Sequence, residues 1–294
     1  MGYKALLILE KILMALPKNF RKGFFNFLAF IGYVFSSKYR KIVKINLKFL
    51  FGNKISEDEI KEITKYSFKN LLYNFMHLME MKRMTKEDFK QKVKVKNFHY
   101  VQDAIDKNIP IIHITPHYSS WELAGASLAV YAKPATLVYK HLKNREYEEW
   151  LLNARSHFGN KNIEKTNVLK KLIKLVKNKD SIGILIDTNI NKKDGVEVKF
   201  FDKTIHQTPL PAFLSRKFDA IIIPAVIRSD DDEHYEVIFY EPIKAKKTDD
   251  DKADIQEATQ AQATWLENVL KKEPKFWFWL HRRFKDDYPE IYKK

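Results

Sequence analysis

His117 and Glu122 stand five residues apart at the end of a segment that begins with the apolar run Pro110-Ile-Ile-His-Ile-Thr115. The run reads as a strand, and the residues after Ser120 read as the start of a helix. A histidine delivered by a strand end and oriented by a carboxylate can take the proton from a hydroxyl. The reaction class this pair fits is acyl transfer to that hydroxyl, with His117 as general base. Glu122 also admits a second reading, because Ser119-Ser-Trp-Glu122 has the S-x-x-E form of a helix capping box. Helix-terminal amides near His117 would disfavour a protonated ring, so one geometry could serve both roles.

Other chemistries fit the residues less well. His113 and His117 are four apart, but a zinc pair of that spacing needs both on one helix face. Pro116 interrupts any helix there. Ser119 lacks the G-x-S-x-G elbow of a hydrolase nucleophile. There is no phosphate-binding glycine loop and no dinucleotide fingerprint. The chain contains no cysteine, which removes thiolate nucleophiles, disulfides and cysteine-held zinc. No metal and no cofactor is expected beyond an acyl thioester co-substrate.

These residues must be positioned by a scaffold, and 294 residues with 45% hydrophobic content are enough to build one. From Asn108 onward, strand-like runs alternate with helical ones. The strands expected are 109–115, 135–139, 181–186, 196–201, 220–227 and 235–240. The helices expected are 120–131, 144–158, 168–177 and 209–216, with a closing helix over 253–272. This alternation predicts an α/β fold with a mixed, largely parallel sheet flanked by helices. Ser56 followed by Glu57, Asp58 and Glu59 predicts the start of a long amphipathic helix. No repeat or flexible linker divides the chain.

The formal charge of +16 favours anionic partners. It is densest in the first 54 residues, where eleven Lys and Arg accompany a single acid, Glu10. The apolar run Phe24–Phe35 is shorter than the roughly 20 residues a spanning helix needs. Residues 1–54 are therefore expected to form helices lying at an anionic membrane surface, continuous with a catalytic part over 55–294. The other reading is two ordinary helices packed on the core. The run Ala5–Leu16 carries Glu10 and Lys11 and no small-residue cleavage pattern, unlike a signal peptide. A basic nucleic-acid-binding protein would also account for the charge, but no RNA-binding sheet signature or zinc-finger spacing is present, and no nucleic-acid partner is expected.

Several motifs, taken in order, resemble the late acyltransferases of bacterial lipid A biosynthesis, the lauroyl/myristoyl family. His117-Tyr-Ser-Ser-Trp-Glu122 is similar to the family's H-x4-[DE] block, usually H-F-G-N-W-E. Arg40 to Leu47 resembles its early Arg…Asn-Leu helix, and Leu137 to Asn144 its V-Y-R-P-L-x-N segment. Asn153 to Gly159 is similar to the Arg…Gly segment that follows. Ile184 to Asn189 and Gly195 to Phe201 resemble its Asp-containing strand end and its G-V-x-V-x-F-F motif. Trp277 to Lys285 is similar to its C-terminal W-x-W-x-H-R-R-W-K. The chain departs from the pattern at Tyr118, Ser119 and Ser120, at His141 in place of Pro, and at Phe284 in place of Trp.

The resemblance implies an O-acyltransferase of the glycerolipid-acyltransferase-like fold at the cytoplasmic face of a bacterial inner membrane. It would use acyl carrier protein or coenzyme A as acyl carrier and a lipid A precursor as acceptor. A lysophospholipid or another glycolipid is the alternative acceptor. In this scheme Glu122 orients the His117 ring and stabilises its protonated form. Arg155 donates to the developing oxyanion. Asp187 binds substrate or holds Arg155, and His281, Arg282, Arg283 and Lys285 bind phosphate or carrier. Trp277, Phe278 and Trp279 are expected as core or interface anchors.

Overall fold

The computed structural model describes residues 2–293, so Met1 and Lys294, the outer ends of the two assigned ranges, lie outside it. Its N-terminal helices are α1 (Tyr3–Ala15), α2 (Lys18–Phe35), α3 (Ser37–Phe51), α4 (Glu57–Met81) and α5 (Lys86–Lys92). α4 starts where the sequence places its cap. The Ser56 hydroxyl accepts from the Glu59 amide, and the Glu59 carboxylate accepts from the Ser56 amide. The rest of the chain runs β1 (Val93–Lys96), α6 (His99–Asp106), β2 (Ile111–Thr115), α7 (Trp121–Tyr131), β3 (Ala135–Tyr139), α8 (Arg145–Ser156), β4 (Lys161–Glu164), α9 (Leu169–Lys177) and β5 (Ser181–Leu185). It continues through β6 (Val196–Phe200), β7 (Lys203–Gln207), α10 (Leu210–Phe218), β8 (Ile221–Arg228), β9 (Tyr235–Phe239) and α11 (Asp251–Lys272).

Seven strands form one sheet in the order β1-β9-β8-β2-β5-β3-β4. β8, β2, β5, β3 and β4 pair in parallel, and β9 turns back antiparallel on β8. The expected mixed, largely parallel sheet flanked by helices is thus the observed one. β2 lies in the middle and is buried on both faces, as its continuous apolar run requires. β6 and β7 form a separate antiparallel hairpin. The sequence reading missed β1, β4 and β7. β1 and β4 are four-residue edge strands rich in Lys and Asn, a composition that protects an edge and blurs the strand signal.

α1 and α2 lie against α4, and α1 docks through Leu13 in the core and through the lone acid of the N-terminal stretch. Glu10 is 3% exposed. Its carboxylate accepts from Lys82, Arg83 and Trp150 at 2.7–3.2 Å. Burial pushes its pKa up, but the Arg83, Trp150 and Lys82 bonds outweigh that and leave it below the usual carboxylate value. α2 buries Phe25 and Ala29 and leaves Phe20, Phe27, Phe30, Val34 and Phe35 exposed on other faces. Among the described residues, no helix is long and apolar enough to cross a membrane.

Candidate active site

The parallel register of the sheet brings two distant residues together. Thr115 of β2 pairs with Leu185 of β5, so His117 and Asp187 leave the sheet at the same height, two residues beyond each strand end. His117 Nδ1 donates to Asp187 Oδ1 at 2.8 Å, and the His117 amide donates to Oδ2 at 2.8 Å. Trp277 Nε1 donates to the same Oδ2 at 2.8 Å. The C-terminal segment reaches this point by pairing with the turn after β2. Phe278 N donates to His117 O at 2.9 Å, and Tyr118 and Trp277 form an antiparallel bridge. Asp187 is fully buried. Burial alone would raise its pKa, but the facing His117 and its hydrogen bonds hold it below the ordinary carboxylate range.

Three expectations are corrected by this geometry. Asp187, not Glu122, orients the His117 ring. Asp187 holds His117 and not Arg155. Glu122 does not close a capping box either, because α7 begins with no side-chain cap from its own Ser120. Asn74 of α4 does that work: its Oδ1 accepts from Glu122 N at 3.3 Å and its Nδ2 donates to Ser119 O at 3.0 Å. Ser120 instead bonds to His77 Nδ1 at 2.9 Å in full burial, which leaves neither residue open to a substrate.

Glu122 and Arg155 find each other. Arg155, in the last turn of α8, donates from Nε to Oε2 at 2.9 Å and from Nη2 to Oε1 at 2.7 Å. This two-pronged pair fixes the guanidinium plane. Burial works against the charged form of Arg155, yet the attraction of Glu122 outweighs it and raises the pKa. Trp121 Nε1 also donates to Glu122 Oε1, at 3.1 Å. The same indole lies 5.2 Å from the His117 ring and so joins the two pairs.

A narrow cleft runs between α7 and the sheet. Partly exposed Trp121, Thr115 and Arg155 line its open end, and buried His113, Val237 and Phe239 its closed end. Its lining is mainly aliphatic. Leu137 packs between Gly125 of α7 and Gly183 of β5. A β-carbon at Gly183 would stand 2.6 Å from a Leu137 methyl, so the glycine keeps this wall close without a clash. Phe278 closes the other side of His117, 6.0 Å from its ring and 5.3 Å from Trp121.

The C-terminal basic group is divided. The His281 ring stacks on Phe278, and burial pushes its pKa down to about 4. Arg283 is 3% exposed and donates from Nη2 to His206 O at 3.1 Å. Arg282 and Lys285 are exposed, with the Arg282 guanidinium over Tyr292. Trp277 and Trp279 are buried as anchors. The sequence reading missed the Trp277 bond to Asp187, although a buried indole N–H requires a partner.

The family profile described as bacterial lipid A biosynthesis acyltransferase matches residues 3–286. A protein of Haemophilus influenzae described as a lipid A biosynthesis acyltransferase is 27% identical over 202 residues, or 67% of this chain. The aligned part spans 61% of the length of that relative.

Proposed function

Because the chain belongs to the bacterial lipid A biosynthesis acyltransferase family, we propose that it moves a fatty acyl group from a thioester to a hydroxyl of a lipid A precursor. The carrier is acyl carrier protein or coenzyme A. The observation that carries this reading is a histidine held by a buried carboxylate beside the mouth of an aliphatic cleft. With Nδ1–H committed to Asp187, the lone pair of His117 lies on Nε2. Nε2 takes the acceptor hydroxyl proton as the oxygen attacks the thioester carbonyl. The C–O bond forms, the C–S bond breaks, and the leaving thiolate recovers the proton from His117. The acyl chain occupies the cleft beneath α7.

Arg155 is the donor to the oxygen that gains negative charge. Glu122 holds its fork and leaves Nη1 without a hydrogen bond among the described residues. His281 stacks on Phe278, which flanks the His117 ring, and Arg282 and Lys285 are the exposed cations for a phosphate or an acidic carrier. Purified protein offered one acyl thioester with a lipid A precursor, a lysophospholipid and an unrelated glycolipid tests the assignment. Transfer to the lipid A precursor above the others supports it, and preferred transfer to another acceptor overturns it.

The working place of the enzyme is the cytoplasmic face of the inner membrane. Ile8 and Ile12 of α1, Leu16 just after it, and Phe20, Phe27, Phe30 and Val34 of α2 are exposed apolar residues, among Lys4, Lys11 and Lys38. Replacing Phe27 and Phe30 with Gln should lower sedimentation with anionic vesicles several-fold. Unchanged sedimentation would remove these helices as the membrane contact.

A further inference from the structure

The closed end of the cleft holds one group that an aliphatic chain does not account for. His113 sits in the middle of β2, level with Gly183 of β5 and Ile223 of β8, and it lines the cleft under α7. It is 4% exposed, and neither ring nitrogen has a hydrogen-bond partner among the described residues. Ile111 precedes it on the same face of β2, so an aliphatic side chain would fit the local pattern without leaving polar atoms unpaired. Burial pushes its pKa down to about 3, so near neutral pH the ring is uncharged, with one donor and one acceptor. Level with it across the sheet is Gly183, over which Leu137 packs, and the Phe239 ring stands 6.3 Å away.

Depth sets which part of a ligand reaches it. α7 lines the cleft from Trp121 at the open end to Leu128, about 10 Å at about 1.5 Å per residue. His113 lies on β2 four residues before His117, roughly 13 Å along an extended strand. A group that meets His113 is therefore far from the carbonyl that reacts beside His117.

We propose that His113 is a specificity-determining residue that hydrogen-bonds a hydroxyl carried well along the acyl chain, so that the cleft takes a hydroxylated fatty acyl group in preference to a plain one. The inference rests on the reading that the cleft holds the acyl chain. A hydroxyl both donates and accepts, and so satisfies whichever tautomer faces it. A chain without the hydroxyl leaves the imidazole buried and unpaired, which is the arrangement that discriminates most strongly against the lacking analogue.

The test compares the full chain with His113→Leu by titration calorimetry. The ligands are a saturated fatty acid and two monohydroxylated acids of the same length, one hydroxylated beside the carboxyl and one near mid-chain. The native protein should bind the mid-chain hydroxy acid about tenfold more tightly than the plain acid. His113→Leu should reverse that order and melt at an equal or higher temperature, since it removes unpaired polar atoms. The same preference in both proteins, a preference for the plain acid in the native protein, or a fall in melting temperature in His113→Leu would overturn the proposal. Turnover with the matching thioesters separates the two readings. Binding preference that depends on His113 without any acyl transfer would sink the transferase assignment and leave this one standing. Transfer with no such preference would do the reverse.

Discussion

His117 with Asp187 and His206 with Asp287 are built to one pattern. In each, the histidine amide donates to one carboxylate oxygen, at 2.8 and 2.9 Å, and Nδ1 bonds to the other, at 2.8 and 2.6 Å. In each the carboxylate is almost fully buried. The difference lies in what the rest of the ring meets. His117 stands between Phe278 and Trp121, the latter lining the cleft, whereas His206 Nε2 lies 3.9 Å from Glu197 on the same β-hairpin. The His206 carbonyl is also tied to buried Arg283. A histidine held by a carboxylate becomes a base for a substrate only where a substrate can reach its outer nitrogen. The second pair fastens the hairpin to the C-terminal segment.

Apart from the base itself, the largest loss should come from Asp187→Asn. It keeps the shape but weakens the hold on the ring and on its tautomer, and it should slow single-turnover transfer roughly 100-fold or more. The same variant sharpens the comparison through pH. Asp187 titrates below its ordinary value in the folded chain, so its contribution to stability is complete above the unfolded carboxylate pKa of about 3.9 and is lost as pH falls through the folded value. Acid unfolding of Asp187→Asn should lack that part of the native dependence. Identical acid profiles would show that Asp187 is not held as described.

The Glu122/Arg155 pair should show the next effect. Truncating Glu122 to Ala leaves the partly exposed Arg155 guanidinium without its two charge-assisted hydrogen bonds and should destabilise the fold by about 1–3 kcal/mol. Replacing both residues with apolar ones of similar size should cost less than that single change. Arg155→Lys should still transfer slowly at saturating substrate, because an ammonium cannot reproduce the fork that Glu122 grips. An unchanged single-turnover rate in Arg155→Ala would take Arg155 out of the chemistry and leave His117 and Asp187 untouched.

The smallest effect on rate belongs to His206→Ala. It should cost about 1–3 kcal/mol of stability, because Asp287 Oδ1 loses its Nδ1 partner while Oδ2 keeps the backbone amide, and the single-turnover rate of the folded variant stays near native. A loss comparable to that of Asp187→Asn would erase the distinction between the two pairs.

His117, Glu122 and Arg155 could be picked out from their local motifs, but their pairing could not. Local spacing put Glu122 nearest to His117, and the partner came instead from 70 residues away, because β2 and β5 are neighbours and in register. That adjacency is a property of sheet order, which periodicity along one strand does not carry. The apolar central strands and the long helices were legible for the opposite reason, since their burial imposes a pattern within each element. Asn74 at the start of α7 shows the same limit, as a cap supplied across helices leaves no signal beside the helix it caps.

Single-turnover acyl transfer to a lipid A precursor by His117→Ala, measured beside His206→Ala with both shown folded by their melting curves, tests the central claim most directly. A fall of roughly 100-fold or more is expected for His117→Ala alone. A folded His117→Ala that transfers at close to the native rate would contradict it.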